Sequence, residues 1–114
     1  MRTKSPLAKI PEEVVIQQIK ILIATSGLRL QRINTGCFKV GNRFIRTAQK
    51  GTLDFEGYDR TGRFIAIECK RPVGGRLSPE QKARIDDINA CGGVAIVATS
   101  DADAIRQLRE RGVL

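Results

Sequence analysis

Between residues 11 and 26, apolar side chains recur every three or four positions, which is the spacing of one helix face. Pro11 and the two acids after it suit a first turn, where the helix dipole favours negative charge. Gly27 is a natural stop. The pattern predicts an amphipathic helix whose buried face carries Val15, Ile16, Ile19, Leu22 and Ile23.

Period-two alternation replaces this pattern further along the chain. Residues 28–34 alternate apolar and polar side chains, as a half-buried strand does. Residues 35–49 hold two glycines among many basic side chains, which indicates a basic loop with one short strand near Arg43 to Arg46. Residues 53–58 and 63–69 are strand-like runs, and the Asp59-Arg60-Thr61-Gly62 segment between them predicts a hairpin.

The last third of the chain carries strong boundary signals. Ser78, Pro79 and Gln81 form a capping-box pattern, which predicts a helix to about Cys91. Gly92-Gly93 ends that helix, residues 94–98 form an apolar run suited to a buried strand, and Ser100 caps a last helix to about Arg111. A strand-helix-strand unit from 64 to 98 implies a right-handed crossover between parallel strands.

These elements predict an α/β fold in the order αβββαβα, with a central mixed sheet flanked by helices. The chain has 114 residues, which suits one domain. We assign residues 11–114 to that domain and residues 1–10 to a basic, flexible arm.

Charge points to a class of partner. Twenty Lys and Arg against twelve Asp and Glu give a net charge of +8, which favours a polyanion such as nucleic acid. The aromatic residues are few and at least two are expected in the core. We therefore expect duplex or branched DNA rather than single strands bound by base stacking.

Other residue types exclude several kinds of chemistry. The chain contains no histidine, which removes Ser-His-Asp and Cys-His catalysis and His-ligated zinc. Its three cysteines are widely spaced and show neither a disulfide framework nor a zinc knuckle. No apolar run reaches the length of a membrane span, and the amino terminus does not resemble a signal peptide. We expect a soluble, cytoplasmic protein whose catalysis uses carboxylates, lysine and metal.

Two short motifs bring these residue types together. Glu68 and Lys70 alternate with buried positions, so both point to the same face of their strand. A three-residue loop, with Gly62 in the left-handed conformation, would pair Asp59 with Arg63. That register places Asp54 directly opposite Glu68, whereas a loop of two residues would turn Asp54 away.

Two opposed carboxylates repel each other unless a cation lies between them. Mg²⁺ or Mn²⁺ could bind Asp54, Glu68 and the main-chain carbonyl of Cys69, with positions left for water and a phosphate oxygen. Such an ion would activate a water for phosphodiester hydrolysis, while Lys70 holds the nucleophile or the phosphate. The alternative is an Asp at the start of a strand and an ordinary surface Glu-Lys pair, because short acid-x-Lys strings occur often by chance.

The chain resembles the VRR-NUC branch of the PD-(D/E)XK nuclease superfamily along most of its length. The similar segments are residues 13–17 (EVVIQ), 32–36 (RINTG), 50–54 (KGTLD), 67–70 (IECK), 75–81 (GRLSPEQ) and Gly92-Gly93. One departure is Thr52-Leu53, where the family often has a proline just before the aspartate. That proline shapes the backbone and carries no ligand.

The resemblance implies a metal-dependent DNase with a restriction-endonuclease-like core. It implies Asp54, Glu68 and Lys70 as catalytic residues, with Glu13 and Gln81 as accessory ones. The residues themselves leave other roles open, since Glu13 also complements the helix dipole and Gln81 also caps a helix. Stand-alone members resemble Holliday-junction resolvases and tend to form homodimers, and two cuts across a junction require two sites.

Basic side chains near these motifs are candidates for phosphate contacts, although a solvated basic surface looks the same in sequence. They are Arg32, Lys39, Arg43, Arg46, Lys50, Arg71 and Arg76. We therefore expect a Mg²⁺- or Mn²⁺-dependent endonuclease that acts on DNA, and branched DNA is the substrate we favour. The alternatives are a non-catalytic DNA-binding or architectural protein, and a nuclease of the same chemistry acting on flap, duplex or RNA substrates.

Overall fold

The computed structural model describes residues 6–33, 37–46 and 50–114, and for residues 37–39 and 44–46 it describes the backbone alone. Its helices are α1 (Glu12–Ser26), α2 (Pro79–Ala90) and α3 (Asp101–Glu110), preceded by a 3₁₀ turn at Pro6–Lys9. Its strands are β1 (Arg29–Arg32), β2 (Cys37–Val40), β3 (Arg43–Arg46), β4 (Phe55–Tyr58), β5 (Phe64–Cys69) and β6 (Val94–Ala98). Residues 1–5 of the expected arm lie outside the described residues.

Four strands form a mixed sheet in the order β1-β4-β5-β6. The β1–β4 and β4–β5 pairs are antiparallel, whereas β5 and β6 are parallel and are joined through α2. An α/β fold with a central mixed sheet and flanking helices is therefore confirmed, as is the parallel crossover.

The predicted order αβββαβα is wrong, because the described residues form five strands between α1 and α2. The two additional positions in the order belong to β2 and β3, which pair with each other as a separate hairpin. The β3 strand was expected at these residues, but β2 falls in a stretch interpreted as loop. The sequence does not predict β2 because glycine and basic residues hide the alternation of apolar and polar positions there. A separate two-stranded hairpin can also form its hydrogen bonds without an apolar face toward the core.

The sheet buries apolar side chains on both faces, and the two faces have different cover. Helices α1 and α3 pack over the face that carries Ile65, Ile67 and Cys69, which are fully buried. On the opposite face, Leu53, Ala66 and Ala95 pack beneath Ile88 of α2. Strand β5 is thus covered on both sides at its centre, which holds it rigidly between the helices.

In the described part of the chain, no helix is long and apolar enough to cross a membrane.

Gly57 determines how closely β1 can approach β4, which gives a test of this pairing. A Cβ on Gly57 would overlap the main-chain carbonyl oxygen of Arg29. We expect Gly57→Ala to lower the free energy of unfolding by about 2 kcal/mol or more through overpacking. Gly62→Ala is the control: it faces open space at φ 85° and should cost about 1 kcal/mol for backbone strain alone. Urea denaturation measures both, and a smaller loss for Gly57→Ala would contradict this account.

Candidate active site

The turn between β4 and β5 has the geometry that the candidate site requires. The Asp59 amide donates to the Arg63 carbonyl at 3.0 Å, and Gly62 has a left-handed φ of 85°. Tyr58 then pairs with Phe64 and Phe55 with Ile67. Continuing this register places Asp54 opposite Glu68, as the three-residue loop predicted.

Asp54 and Glu68 are fixed to one another by two hydrogen bonds from the main chain. The Asp54 amide donates to Glu68 Oε1 at 3.0 Å, and the Cys69 amide donates to Asp54 Oδ2 at 2.8 Å. Each carboxylate is therefore bound by the backbone of the other strand. Strand pairing thus holds the two acids side by side despite their like charges.

The second oxygen of Glu68 meets two side-chain donors. Lys70 Nζ lies 2.9 Å from Glu68 Oε2, and Gln81 Nε2 donates to the same oxygen at 2.7 Å. Three of the residues predicted for the site are thus in direct contact. Asp54 joins them through its amide, so the structure brings four of the five predicted catalytic residues together.

Gln81 performs the capping role and contacts the site with the same side chain. Its Oε1 accepts from the Ser78 amide at 3.0 Å, while Ser78 Oγ accepts from the Gln81 amide at 3.1 Å. This capping box fixes the carbonyl end of the Gln81 amide. Because the amide is planar, its nitrogen end is then directed at Glu68. Capping and site contact, left open by the sequence, are both present.

Burial dominates the electrostatics of the pair. The pKa of Glu68 is raised to about 7, first because the carboxyl is withdrawn from water and second because Asp54 carries a like charge. Lys70 opposes this shift, but its single charge does not cancel it. Burial also raises the pKa of the Cys69 thiol, which lies in the core and is inert at neutral pH.

The segment that delivers Asp54 is attached to the start of α2. Gly51 lies so close to this helix that a Cβ would be 2.7 Å from the Glu80 carbonyl oxygen. Lys50 Nζ meets Glu80 Oε1 at 2.8 Å, and Arg84 makes a two-pronged ion pair with Glu56 at 2.7 and 2.8 Å. Sequence reasoning missed Glu56 and Arg84, which lie 28 residues apart. The sequence offered one signal for Glu56, namely that strand alternation places it on the same face of the sheet as Glu68.

The donor set suits a hard divalent cation. In a trans peptide the C=O and N–H point in opposite directions, and the Lys70 N–H donates to Ala98 on β6. The Cys69 carbonyl therefore points away from β6, toward the side of Asp54. Within the described residues, no group of three or more Asp, Glu or Cys side chains could hold a metal. Mg²⁺ commonly binds through only one or two carboxylates, together with waters and substrate phosphate, so Asp54, Glu68 and this carbonyl fit.

The basic residues predicted to contact phosphate fall into different surroundings. Arg32 lies 4.0 Å from Asp54 Oδ1 and over the Phe55 ring, so it borders the site. Arg71 and Arg76 line a cleft of about 400 Å³ that also contains Lys70. Lys50 is already paired with Glu80, and Arg43 is exposed on β3. The Lys39 and Arg46 side chains lie outside the described residues.

Of the two acids that begin α1, the structure brings Glu12 toward the site. Glu12 Oε1 lies 3.9 Å from Lys70 Nζ. Glu13, the predicted residue, accepts instead from Gln17 Nε2 at 2.9 Å on an exposed face of the helix. Adjacent helix positions differ by about 100° in direction, and the pattern of acids alone could not choose between them.

No family model, no curated protein and no solved structure matches the chain. The resemblance to VRR-NUC nucleases therefore stays a prediction that rests on the sequence segments given above.

The raised pKa of Glu68 predicts a pH dependence of stability without metal. Between the unfolded value near 4.5 and the folded value of about 7, the folded state holds a proton that the unfolded state has lost. Stability should therefore fall as pH rises from 5 to 8, by roughly 3 kcal/mol at most. The chain has no histidine, so few other side chains titrate in this range.

Urea denaturation in EDTA at pH 5, 6, 7 and 8 measures this slope. Asp54→Asn removes the second cause of the shift and should make the slope shallower, whereas Glu110→Gln on the surface of α3 should leave it unchanged. A stability that is flat or rises from pH 5 to 8 would contradict the assignment.

Proposed function

We propose that the chain is a Mg²⁺- or Mn²⁺-dependent nuclease that hydrolyses phosphodiester bonds in DNA, with Asp54, Glu68 and Lys70 at its catalytic centre. The observation that carries the proposal is the carboxylate pair opposed across β4 and β5, with a lysine ammonium 2.9 Å from Glu68 Oε2. Burying two like charges side by side is unfavourable in itself. A cation bound between the two carboxylates would offset their repulsion, which is why the pair suggests a metal site.

In the proposed reaction, Asp54, Glu68 and the Cys69 carbonyl hold the cation. When bound, it supplies an activated water and stabilises the negative charge that grows on the phosphate. Lys70 contacts Glu68 Oε2 and also lines the neighbouring cleft, where its ammonium can orient the attacking water or bind a phosphate oxygen. Gln81 holds Glu68 Oε2 in place and acts as a positioning residue.

The partner and assembly follow from charge and from the resemblance. A net charge of +8 and the exposed arginines near Lys70 favour a polyanion. Arg32 lies beside Asp54, and Arg71 and Arg76 line a cleft with Lys70, so these arginines are suited to contacts with phosphates near a cut. We extend the proposal to a VRR-NUC-like protein with a restriction-endonuclease-like core, acting on branched DNA as a homodimer.

The central test measures cutting and metal binding separately. Purified protein with Mg²⁺ or Mn²⁺ should cut duplex, flap or four-way-junction DNA, and EDTA should stop it. Asp54→Asn and Lys70→Ala should lower the cutting rate by about 10²-fold or more, while DNA binding survives. Mn²⁺ should raise the melting temperature of the wild type at pH 8 and have little effect on Asp54→Asn.

Glu110→Gln is the matched control for loss of a carboxylate, because Glu110 is exposed on α3 and pairs with Arg106. A folded protein that binds DNA but cuts none of these substrates would instead support the non-catalytic DNA-binding alternative. Unchanged cutting by Asp54→Asn would remove the carboxylate pair from the mechanism.

A second prediction separates the two acids of α1. Glu12→Gln removes a charge 3.9 Å from Lys70 Nζ and should alter the cutting rate by about tenfold, because this charge helps to hold the ammonium in position. Glu13→Gln should leave the rate within about twofold, because its carboxylate contacts Gln17. Rates measured across pH 6 to 9 test this, and the reverse order of effects would restore Glu13 as the accessory residue.

A further inference from the structure

In the part of the chain that the structure describes, a region of the α2 face of the sheet is exposed. Helix α2 covers Ala66 and Ala95 on β5 and β6, but β1 and the far end of β4 extend beyond it. Arg29, Tyr58 and Phe64 lie side by side across β1, β4 and β5, because Arg29 pairs with Tyr58 and Tyr58 with Phe64. Directly paired residues point to the same face, so these three form one row.

Two aromatic rings in this row are exposed although they lie in a sheet. Tyr58 is 52% exposed and Phe64 is 39% exposed, whereas Phe55 on the opposite face is 2% exposed. The row borders an open cavity of about 690 Å³ that is also lined by Leu30, Gln31, Glu56 and Gly62. Adjacent exposed aromatics on a sheet surface indicate a binding surface rather than core.

The polar neighbours of the rings identify the chemistry of the occupant. Arg29 and Gln31 are exposed on the same face, and Glu56 is already paired with Arg84. Rings interleaved with an arginine and an amide suit a ligand that offers flat bases and phosphates. Exposed Arg29 and the net charge of +8 favour a polyanion on this face over a second copy of the chain, so the proposed homodimer would use another surface.

We propose that the Tyr58–Phe64 row binds unpaired nucleotides by base stacking, with Arg29 at a neighbouring phosphate. The exposure of both rings replaces the expectation from the sequence that single strands are not bound by stacking. This deepens the proposed nuclease function, on which it rests, by naming the substrate class: DNA with a single-stranded segment beside the cut. Asp54 directly precedes β4 and Tyr58 ends it, so the two are four residues apart, a span of about 13 Å at the spacing of a strand. At roughly 3.4 Å per stacked nucleotide, about four unpaired nucleotides reach from the carboxylate pair to the rings.

The chain provides its own probe of this binding. Tyr58 is the one tyrosine in the sequence, and there is no tryptophan, so tyrosine emission reports this position alone. Titration with oligo(dT) in EDTA, using Asp54→Asn to prevent cutting, should quench the emission. An abasic oligonucleotide of equal length offers the same phosphates without bases and should quench it far less.

Substitutions test whether the rings contribute to affinity. Tyr58→Leu and Phe64→Leu keep apolar bulk and remove the ring, and each should weaken oligo(dT) binding by about tenfold while blunt duplex binding changes by less than about twofold. Ile21→Ala is the matched control, since Ile21 is 66% exposed on α1, over the other face of the sheet. Thermal melting shows that each variant is folded before its affinity is measured.

Two results would overturn the proposal. Unchanged Tyr58 emission and unchanged affinity in the leucine variants would show that single strands bind elsewhere or not at all. A dimeric wild type that becomes monomeric on Tyr58→Leu would assign the face to contact between copies. Tyrosine emission and affinity are both measured without cutting, so the two proposals can fail separately. If the protein cuts DNA but shows neither quenching nor weaker binding in the leucine variants, only the stacking proposal is wrong. If it binds single strands by stacking but cuts no DNA, the proposed nuclease function is wrong.

Discussion

The turn at Asp59 sets which residues of β4 and β5 face each other, and the candidate site depends on that register. The Asp59 carboxylate accepts from the Thr61 amide at 2.8 Å, from the Thr61 hydroxyl, and from the Arg63 amide at 3.1 Å. These bonds, led by the one from the Thr61 hydroxyl, lower the pKa of Asp59 to about 2. Arg63 in turn donates to the Arg111 and Gly112 carbonyls, so the carboxyl-terminal end of the chain supports the turn. A slip of one residue here would move Asp54 to the other face.

Stability and the proposed chemistry oppose each other at the far end of the same hairpin. Glu68 is 2% exposed beside another carboxylate, an arrangement that costs folding energy whenever both are charged. Lys70 and Gln81 reduce that cost with two donors, and the main-chain amides of Asp54 and Cys69 add two more. The buried apolar residues on either side of β5 keep the strand from moving to relieve the repulsion. The packed core thus holds together a carboxylate pair that a flexible segment would rearrange to separate.

Local signals in the sequence were sufficient for much of the fold and for the centre of the site. The capping box at Ser78, the three-residue turn before Arg63 and the alternation in β5 each involve contacts within a few residues, where spacing determines geometry. Contacts between distant segments were beyond that reasoning. The Glu56–Arg84 ion pair and the approach of Gly51 to α2 depend on how a helix rests on a sheet. The choice of Glu12 over Glu13 depends on the rotation of α1 about its axis, which its apolar face fixes only to within one residue.

Residue 81 has a capping role that either glutamine or glutamate could fill, but its contact with the candidate site favours glutamine. A capping box accepts either glutamate or glutamine at this place in the first turn, and glutamate would also suit the positive end of the helix dipole. Here the amide nitrogen donates to Glu68 Oε2 at 2.7 Å, which a carboxylate cannot do. Glutamate would instead add a third negative charge beside Asp54 and Glu68. The preference for an amide over an acid at the start of α2 is therefore explained by a strand that lies thirteen residues earlier in the chain.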